Sequence, residues 1–250
     1  MVTYLEAIVL GLVQGLTEWL PISSSGHLVI VQHLLNIEEP VMLDLFLHLG
    51  TLLVVFMVFH RDIAEIIRAA FTLDFASYHG RMATYILAGS AITGAIGFLF
   101  HDFIVSLFRI RFVGFALLAN AAILLLSKRP EKNRRLSFAD SLLIGAAQGL
   151  SLVPGISRSG ATISMGLIRG IKKETAARFS FILSVPAITG AAIFEFTLEP
   201  VLYGPVLAGT AIATIVGYLS LRILLRIISR RKFHVFGYYC LAVSLIILLS

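Results

Sequence analysis

Charged residues are scarce in this sequence: only 14% of its 250 residues are charged, whereas 58% are hydrophobic. Soluble domains carry about 25% charged and about 45–50% apolar residues. Because so few charges cannot cover a water-exposed surface, the composition excludes a soluble globule and predicts an integral membrane protein. Cysteine is scarcer still, since Cys240 is the single one. An intrachain disulfide and a metal site built from cysteines are therefore excluded.

Basic residues are missing from the first quarter of the chain, where no Lys or Arg precedes Arg61. A cleavable signal peptide begins with a positively charged segment, so we expect the first apolar segment to belong to the mature protein. The whole chain nevertheless carries a formal net charge of +6. In a membrane protein this excess is typical of cytoplasmic loops that face anionic lipid headgroups. We therefore expect membrane lipids, and no nucleic acid, as partners.

Long apolar runs are plentiful, but only six approach the ~20 residues that a transmembrane helix needs. Two further segments are interrupted: residues 4–36 break at Pro21 and a Ser-Ser-Ser-Gly turn, and residues 138–168 break at Pro154 and Gly155. Irregular backbone at membrane depth requires cover by protein or a water-filled cavity. Both segments are predicted to be re-entrant helix–turn–helix hairpins. The six predicted spans are 41–59, 83–100, 109–127, 176–196, 203–221 and 233–249.

The two interrupted segments are similar in sequence. Residues 11–28 (GLVQGLTEWLPISSSGHL) and 145–162 (GAAQGLSLVPGISRSGAT) share eight of eighteen residues at a constant offset of 134. Each half then holds one hairpin and three spans, and because three is odd, the second half is predicted to be inverted. Paired interrupted segments of this kind point to a binding site near the bilayer midplane. The predicted organisation is one all-α polytopic membrane domain, 1–250, with a first repeat 1–127, a basic cytoplasmic linker 128–137 and a second repeat 138–250.

The distribution of positive charge supports this topology. Eighteen of the twenty Lys and Arg residues fall on the side that holds loops 60–82, 128–175 and 222–232; only Arg109 and Arg111 fall on the other. Cytoplasmic loops are enriched in Lys and Arg. We therefore expect a multi-pass protein of the cell membrane whose two termini are extracytoplasmic. Because the first hairpin enters from the side of the N-terminus, we expect its site to open outward.

The turn in each hairpin carries groups that bind anions. A turn that leads into a helix leaves free backbone N–H groups, and Arg158 adds a planar donor suited to phosphate. Since inverted repeats would bring the two turns together, we predict a phosphate-type ligand. Serine capping and bonding of hydroxyls within a helix are the alternatives. The candidate binding residues are Gln14, Thr17, Ser23, Ser25, Gly26, Ser157, Ser159, Gly160 and Thr162.

The first hairpin adds reactive side chains. Gln14 and Glu18 lie four residues apart on one helix face, and Glu18 can hold a divalent cation or accept a proton. His27 follows Ser24 by three residues, and a Ser–His pair beside a carboxylate can form an activated nucleophile. A hydrogen-bonded interior histidine is the alternative. The positions that correspond to Glu18, Ser24 and His27 in the second hairpin hold Leu152, Arg158 and Ala161.

These motifs resemble those of a known family. Residues 14–27 (QGLTEWLPISSSGH) resemble the signature of the undecaprenyl-diphosphate phosphatase family of the bacitracin-resistance type, and residues 154–162 (PGISRSGAT) resemble its PGxSRSxxT signature. The similarity is collinear across essentially the whole chain. It implies a membrane hydrolase that converts polyprenyl diphosphate to the monophosphate, recycles the lipid carrier for cell-wall polymers and confers bacitracin resistance. It also implies dependence on a divalent cation, Mg²⁺ or Ca²⁺.

The resemblance implies a role for each matching residue. Glu18 and Gln14 are implied in metal binding or acid–base chemistry, although many members carry Glu where this chain has Gln14. Ser24 is implied as the nucleophile, with a metal-activated water as the open alternative. His27 is implied as its base or as a phosphate contact, and Arg158 as the clamp on the diphosphate.

Three further expectations concern function and packing. A transporter or flippase of a phosphorylated lipid or anion is the alternative function, because broken helices in inverted repeats are typical of transporters. Such a protein needs no Ser–His–Glu set, which favours the enzyme.

The offset of 134 makes Asp44 and Arg178 equivalent positions of the two repeats, so we predict a charge pair between them. Residues 62–78 are predicted to form an interfacial amphipathic helix. The oligomeric state, a homodimer included, is left open.

Overall fold

The computed structural model describes residues 2–37, 41–128, 132–195, 203–230 and 232–249. Within these ranges the regular elements are helices, apart from one isolated bridge between Arg134 and Ile171, so the all-α prediction is confirmed. Arg129, Arg231 and residues 129–131 of the predicted linker lie outside the described residues. The helices are α1 (Tyr4–Thr17), α2 (Ser24–Leu35), α3 (Val41–Phe71), α4 (Tyr78–Leu99), α5 (His101–Ser106), α6 (Ile110–Leu126), α7 (Phe138–Leu150), α8 (Arg158–Ile168), α9 (Lys173–Glu195), α10 (Tyr203–Ser229) and α11 (Phe236–Leu249).

Among the described residues, four helices are long and apolar enough to cross a membrane, namely α3, α4, α9 and α10. They correspond to four of the six predicted spans. The other two predicted spans match shorter apolar segments, Ile110–Leu126 and Phe233–Leu249, the second of which begins with a 3₁₀ turn. The chain is thus a multi-pass membrane protein.

The interrupted segments form the two expected helix pairs. Helices α1 and α2 have 14 and 12 residues, and α7 and α8 have 13 and 11. At a rise of about 1.5 Å per residue, each is shorter than the ~30 Å hydrocarbon core. The turn at Pro21 separates the first pair, and the turn at Pro154 separates the second. We call these pairs the first hairpin (α1–α2) and the second hairpin (α7–α8).

Each hairpin packs against a long helix from the other half of the chain. Helix α1 lies along α10, where the backbones of Gly11 and Gly209 touch. Helix α7 lies along α4 in the same way, with Gly145 against Gly89. Thr93 on α4 donates to the Gly145 carbonyl at 2.9 Å. Helices α6 and α11 also pack together. This exchange of partners brings the tips of the two hairpins to the centre of the molecule.

Helix α3 is longer than predicted. It continues to Phe71, and its two helical segments meet at Phe59, whose backbone angles are not helical. The predicted interfacial helix over residues 62–78 is therefore helical only as far as Phe71, and its place at the membrane interface stays a prediction. The short helix α5 between α4 and α6 was not predicted.

The predicted pair between Asp44 and Arg178 does not form. Arg178 Nη1 lies 3.0 Å from Asp62 Oδ1, whereas the carboxylate of Asp44 accepts hydrogen bonds from Gln32 Nε2 at 3.1 and 2.8 Å. Asp44 and Asp62 lie at opposite ends of α3, and the start of α9 packs against the far end. An equal sequence offset does not produce contact between two antiparallel helices.

The close approach of α7 and α4 generates a prediction. A Cβ at Gly145 would overlap backbone atoms of Gly89, so Gly145→Ala is expected to lower the free energy of unfolding by about 1–3 kcal/mol. The measurement is unfolding in mixed detergent micelles. Gly94→Ala on α4 is the matched control, because a Cβ there would meet no atom within 4 Å. Equal effects of the two substitutions would contradict the prediction.

Candidate active site

Hydrogen bonds between the two turns hold the tips of the hairpins together. The Oγ of Ser23 accepts the N–H of Gly155 at 3.1 Å. A second bond runs in the same direction, since Ser159 Oγ donates to the carbonyl oxygen of Trp19 at 2.9 Å. All four residues are buried, and hydrogen bonds are electrostatically stronger in such a low-dielectric environment than in water.

Asn120 on α6 adds a bridge that sequence reasoning missed. Its Nδ2 donates to the carbonyl of Pro21 at 3.0 Å, and its Oδ1 accepts the N–H of Ser157 at 3.1 Å. Asn120 is fully buried. The available signal was a lone amide side chain in an otherwise apolar span, because such a group at membrane depth needs a partner.

Glu18 lies at the centre of the site, directly after the end of α1. Its Oε1 forms a salt bridge with Nη2 of Arg158 from the second hairpin. Its Oε2 accepts hydrogen bonds from Ser24 Oγ at 2.6 Å and from Gln14 Nε2 at 3.1 Å. The carboxylate is almost completely buried, with a side-chain exposure of 4%. Four predicted site residues, from both hairpins, therefore meet around one charge.

Arg158 begins α8 and is held from two sides. Besides Glu18 it contacts Trp19, since its guanidinium carbon lies 5.4 Å from the centre of the indole ring. Trp19 in turn packs edge-on against Phe181, with ring centroids 5.7 Å apart. An arginine over an aromatic face gains a cation–π attraction. The guanidinium is thereby fixed at the edge of the cavity with donors to spare.

His48 on α3, like Asn120, is a residue that sequence reasoning did not assign to the site. It lies near Glu18. Its Nε2 lies 3.8 Å from Glu18 Oε2, and its Nδ1 donates to the carbonyl oxygen of Asp44 at 2.7 Å. His48 is a polar residue in an otherwise apolar span, but its position in the sequence does not point to the first hairpin. The contact with Glu18 depends on how α3 packs against the first hairpin.

The predicted pair between Ser24 and His27 does not form. Ser24 donates to Glu18, whereas His27 Nδ1 donates to the carbonyl oxygen of Ser23 at 2.7 Å, and His27 Nε2 lies 2.8 Å from the hydroxyl of Tyr239. Helical side chains lean towards the N-terminus of their helix, so the imidazole reaches back to the preceding turn. The role of His27 as a base therefore has no support from its hydrogen bonds.

The remaining candidate residues mostly stabilise the turns. Ser23 and Ser157 cap the N-termini of α2 and α8 by accepting the N–H groups of Gly26 and Gly160. Thr17 and Thr162 donate to carbonyls one turn earlier in the chain, and Thr162 also contacts Ser180. Both patterns are the alternatives that the sequence left open. Ser25 lies 3.3 Å from Ser23 Oγ at the edge of the cavity.

A cavity of about 410 Å³ opens above Glu18, Ser24 and Arg158. Its floor is polar and receives residues from both turns, whereas its walls are largely apolar. A site of this shape suits an amphipathic ligand with a charged head. The apolar wall residues include Val105 on α5, Phe108 just after it, and Ala187, Ile188, Ala191 and Ala192 on α9.

The arrangement is suited to acid–base chemistry on an anion. A serine hydroxyl 2.6 Å from a carboxylate has a proton acceptor within reach, which is the requirement for an activated nucleophile. Arg158 supplies the positive charge that a phosphate group needs. The side-chain amide oxygen of Gln14, Oε1, is buried and has no hydrogen-bond partner among the described residues. It lies beside Glu18 and is free to bind a cation.

The pair of Glu18 and Arg158 generates a prediction about stability. Removing one partner leaves the other charge buried, so Glu18→Gln and Arg158→Gln are each expected to cost about 3–5 kcal/mol. The double variant should cost less than the sum, with a coupling energy of about 1–3 kcal/mol. Unfolding in mixed micelles measures this cycle.

The exposed pair of Asp62 and Arg178 provides the control cycle. Its side chains are 20% and 48% exposed, and a coupling below about 1 kcal/mol is expected there. Strict additivity at Glu18 and Arg158 would mean that the buried pair does not couple the hairpins.

Comparison with known proteins agrees with this geometry. The undecaprenyl-diphosphatase of Halothermothrix orenii is 40% identical over 256 residues, covering 98% of this chain and 96% of that protein. The enzymes of the same name from Methanosphaera stadtmanae and Korarchaeum cryptofilum are 40% and 39% identical, with 98% and 97% of this chain covered and 97% of each relative. The profile of the family described as "Bacitracin resistance protein BacA" matches residues 7–246, and the chain therefore belongs to this family.

Proposed function

We propose that this protein is a membrane phosphatase that hydrolyses undecaprenyl diphosphate, or a similar polyprenyl diphosphate, to the monophosphate and inorganic phosphate. The observation that carries the proposal is the group of Ser24, Glu18 and Arg158 on the floor of the cavity. Family membership and the names of the curated relatives support it. In the cell membrane this activity would recycle the lipid carrier for cell-wall polymers and confer resistance to bacitracin.

Substrate binding starts from the ion pair. Arg158 is paired with Glu18, so the charge of the guanidinium is balanced within the buried site. When a diphosphate binds, its oxygens take over donors of Arg158, and Glu18 loses part of its compensation. A carboxylate with less compensation is a stronger proton acceptor. Binding of the anion thus makes Glu18 a stronger acceptor for the proton of Ser24.

The chemical step uses the hydrogen bond between Ser24 and Glu18. As the Oγ of Ser24 attacks the terminal phosphorus, its proton passes to Glu18 Oε2, 2.6 Å away. A bond forms between Oγ and phosphorus while the bond from phosphorus to the bridging oxygen breaks, and the prenyl monophosphate leaves. Water then attacks the phosphoserine, giving inorganic phosphate and restoring the hydroxyl. Positioning and charge stabilisation supply most of the catalysis in phosphoryl transfer.

A divalent cation, Mg²⁺ or Ca²⁺, enters the proposal as a companion of the diphosphate. In the described part of the chain no group of three or more His, Cys, Asp or Glu side chains is arranged to hold a metal. The unpartnered side-chain amide oxygen of Gln14, beside the carboxylate of Glu18, fits a cation whose other ligands are phosphate oxygens, as is usual for Mg²⁺. Glu18 itself remains the proton acceptor of Ser24. Bound there, the cation would neutralise charge on the phosphates.

The proposal extends to the architecture. The six apolar segments and the two hairpins would form an inverted repeat in the membrane. The start of α3 meets the end of α9 at the cavity, while Asp62 near the far end of α3 pairs with Arg178 near the start of α9. The two counterpart helices are thus antiparallel, as inversion requires. The exchange of packing partners between the halves, α1 with α10 and α7 with α4, supports the same symmetry.

Phosphate release by the purified protein tests the function. In detergent the parent protein is expected to release inorganic phosphate from a long-chain polyprenyl diphosphate, and Ser24→Ala is expected to reduce kcat by at least about 10³-fold, as loss of a nucleophile does. Ser244→Ala is the matched control, since Ser244 is a buried serine that donates to Gly114 far from the cavity.

The same assay tests the cation and the alternative function. Release should stop in EDTA and return with Mg²⁺ or Ca²⁺; unchanged release in EDTA would contradict the proposed cation. A parent protein without turnover that moves a phosphorylated lipid across liposome membranes would instead identify a transporter.

The positive-inside distribution supports extracytoplasmic termini and a cavity that opens outward, and cysteine labelling tests this orientation. An impermeant maleimide is expected to label Ser106→Cys on α5 in intact cells and Arg135→Cys only after permeabilisation. Both positions are exposed, and the proposed topology assigns them to opposite sides of the membrane. The parent protein is the control, since its Cys240 is fully buried. The reverse labelling pattern would invert the proposed topology.

A further inference from the structure

Ser23, the residue before the proposed nucleophile, has an unusual backbone conformation. Its φ is 72° and its ψ is 98°, a region that residues other than glycine rarely adopt. The corresponding residue of the second hairpin, Ser157, has ordinary angles of −75° and 127°. The two turns are similar in sequence and in capping, so the difference marks the hairpin that carries Ser24. Strained backbone of this kind persists only where the surroundings hold it.

His27 holds this strained residue from one side. Its Nδ1 lies 2.7 Å from the carbonyl oxygen of Ser23, and a carbonyl oxygen only accepts, so Nδ1 carries the proton. That carbonyl belongs to the peptide bond between Ser23 and Ser24. Because a peptide bond is planar, a hydrogen bond that holds its oxygen also fixes the orientation of the backbone N–Cα bond of Ser24. The position of His27 in the second hairpin is Ala161, where the backbone is relaxed and no such support is needed.

Tyr239 on α11 holds His27 in turn. With the proton on Nδ1, Nε2 of the neutral imidazole accepts from the Tyr239 hydroxyl, and the two atoms lie 2.8 Å apart. The rings of His27 and Tyr239 are stacked, with centroids 5.7 Å apart and an angle of 12° between their planes. A hydrogen bond to one ring nitrogen determines which nitrogen carries the proton. The last helix of the chain is thereby linked to the turn that precedes Ser24.

We propose that Tyr239 is a positioning residue that acts through His27 to hold the Ser23–Ser24 peptide plane, and thus aims the Ser24 hydroxyl at Glu18. The proposal rests on the function proposed above and assigns His27 a positioning role instead of that of a base. Neither Tyr239 nor His27 lines the cavity, in agreement with an action through the backbone. Glu18, which lies 2.6 Å from Ser24, serves as the proton acceptor.

Steady-state kinetics of Tyr239→Phe test the first link. This change removes the hydroxyl and keeps the ring, so kcat should fall about 10-fold through misplacement of Ser24, with KM within about twofold of the parent value. Tyr238→Phe is the matched control, since the neighbouring side chain is 57% exposed, and it should leave both constants unchanged. An unaltered kcat in Tyr239→Phe overturns the proposal.

Two substitutions of His27 separate positioning from proton transfer. His27→Asn keeps an N–H that can reach the Ser23 carbonyl but cannot serve as a base at neutral pH, so it should retain at least about 10-fold more activity than His27→Ala. If the two variants are equally impaired while remaining folded, the positioning role is wrong and the role of a base is restored.

Nitrogen NMR of histidine-labelled protein gives a readout that does not depend on activity. His27 should show a proton on Nδ1, and Tyr239→Phe should shift the Nε2 resonance while Tyr238→Phe should not. A proton on Nε2 in the parent protein would overturn the hydrogen-bonded chain. A parent protein without phosphatase activity would overturn the proposed function. The NMR result would then decide by itself whether Tyr239, His27 and the Ser23 carbonyl are linked by hydrogen bonds.

Discussion

The buried salt bridge between Glu18 and Arg158 is the interaction on which the site depends. Each charge comes from a different hairpin, and neither hairpin can bury its own charge without the other. A buried ion pair offsets the desolvation of its members only when the geometry is good and further hydrogen bonds are present. Ser24 and Gln14 supply those bonds to Glu18, and the indole of Trp19 supports Arg158. Assembly of the site and association of the hairpins are therefore the same event.

The packing of the helices brings Glu18 and Arg158 together. Each helix of the two hairpins is shorter than the hydrocarbon core of a bilayer. The first helix of each hairpin packs against a long helix of the opposite half, with glycine backbones in contact. Without a strong hydrophobic driving force inside a membrane, close approach of small residues and interhelical hydrogen bonds hold helices together. The Thr93 hydroxyl on the Gly145 carbonyl is one such bond. The helix ends are thus held at fixed positions, and the polar turns between them are covered by protein.

The two hairpins are similar in sequence but carry different functional groups. The first carries the carboxylate, the hydroxyl and a strained residue before it; the second carries the arginine on a relaxed turn. A diphosphate linked to a prenyl chain is itself asymmetric, with a charged head and an apolar tail. The cavity matches this asymmetry, since its floor is polar and the walls formed by the end of α9 and the region of α5 are apolar.

The sequence by itself determined the membrane environment, the all-α class and the two interrupted segments, and it singled out Gln14, Glu18, Ser24 and Arg158 as candidates, which meet in the structure. These follow from local composition and from a repeated motif. It did not determine which atoms meet. The Asp44–Arg178 and Ser24–His27 pairs were inferred from spacing, and both are wrong because helix direction and side-chain lean decide such contacts. Only the tertiary structure placed His48, Asn120 and Tyr239 near the hairpins, because their contacts join residues far apart in the chain, and no local pattern encodes them.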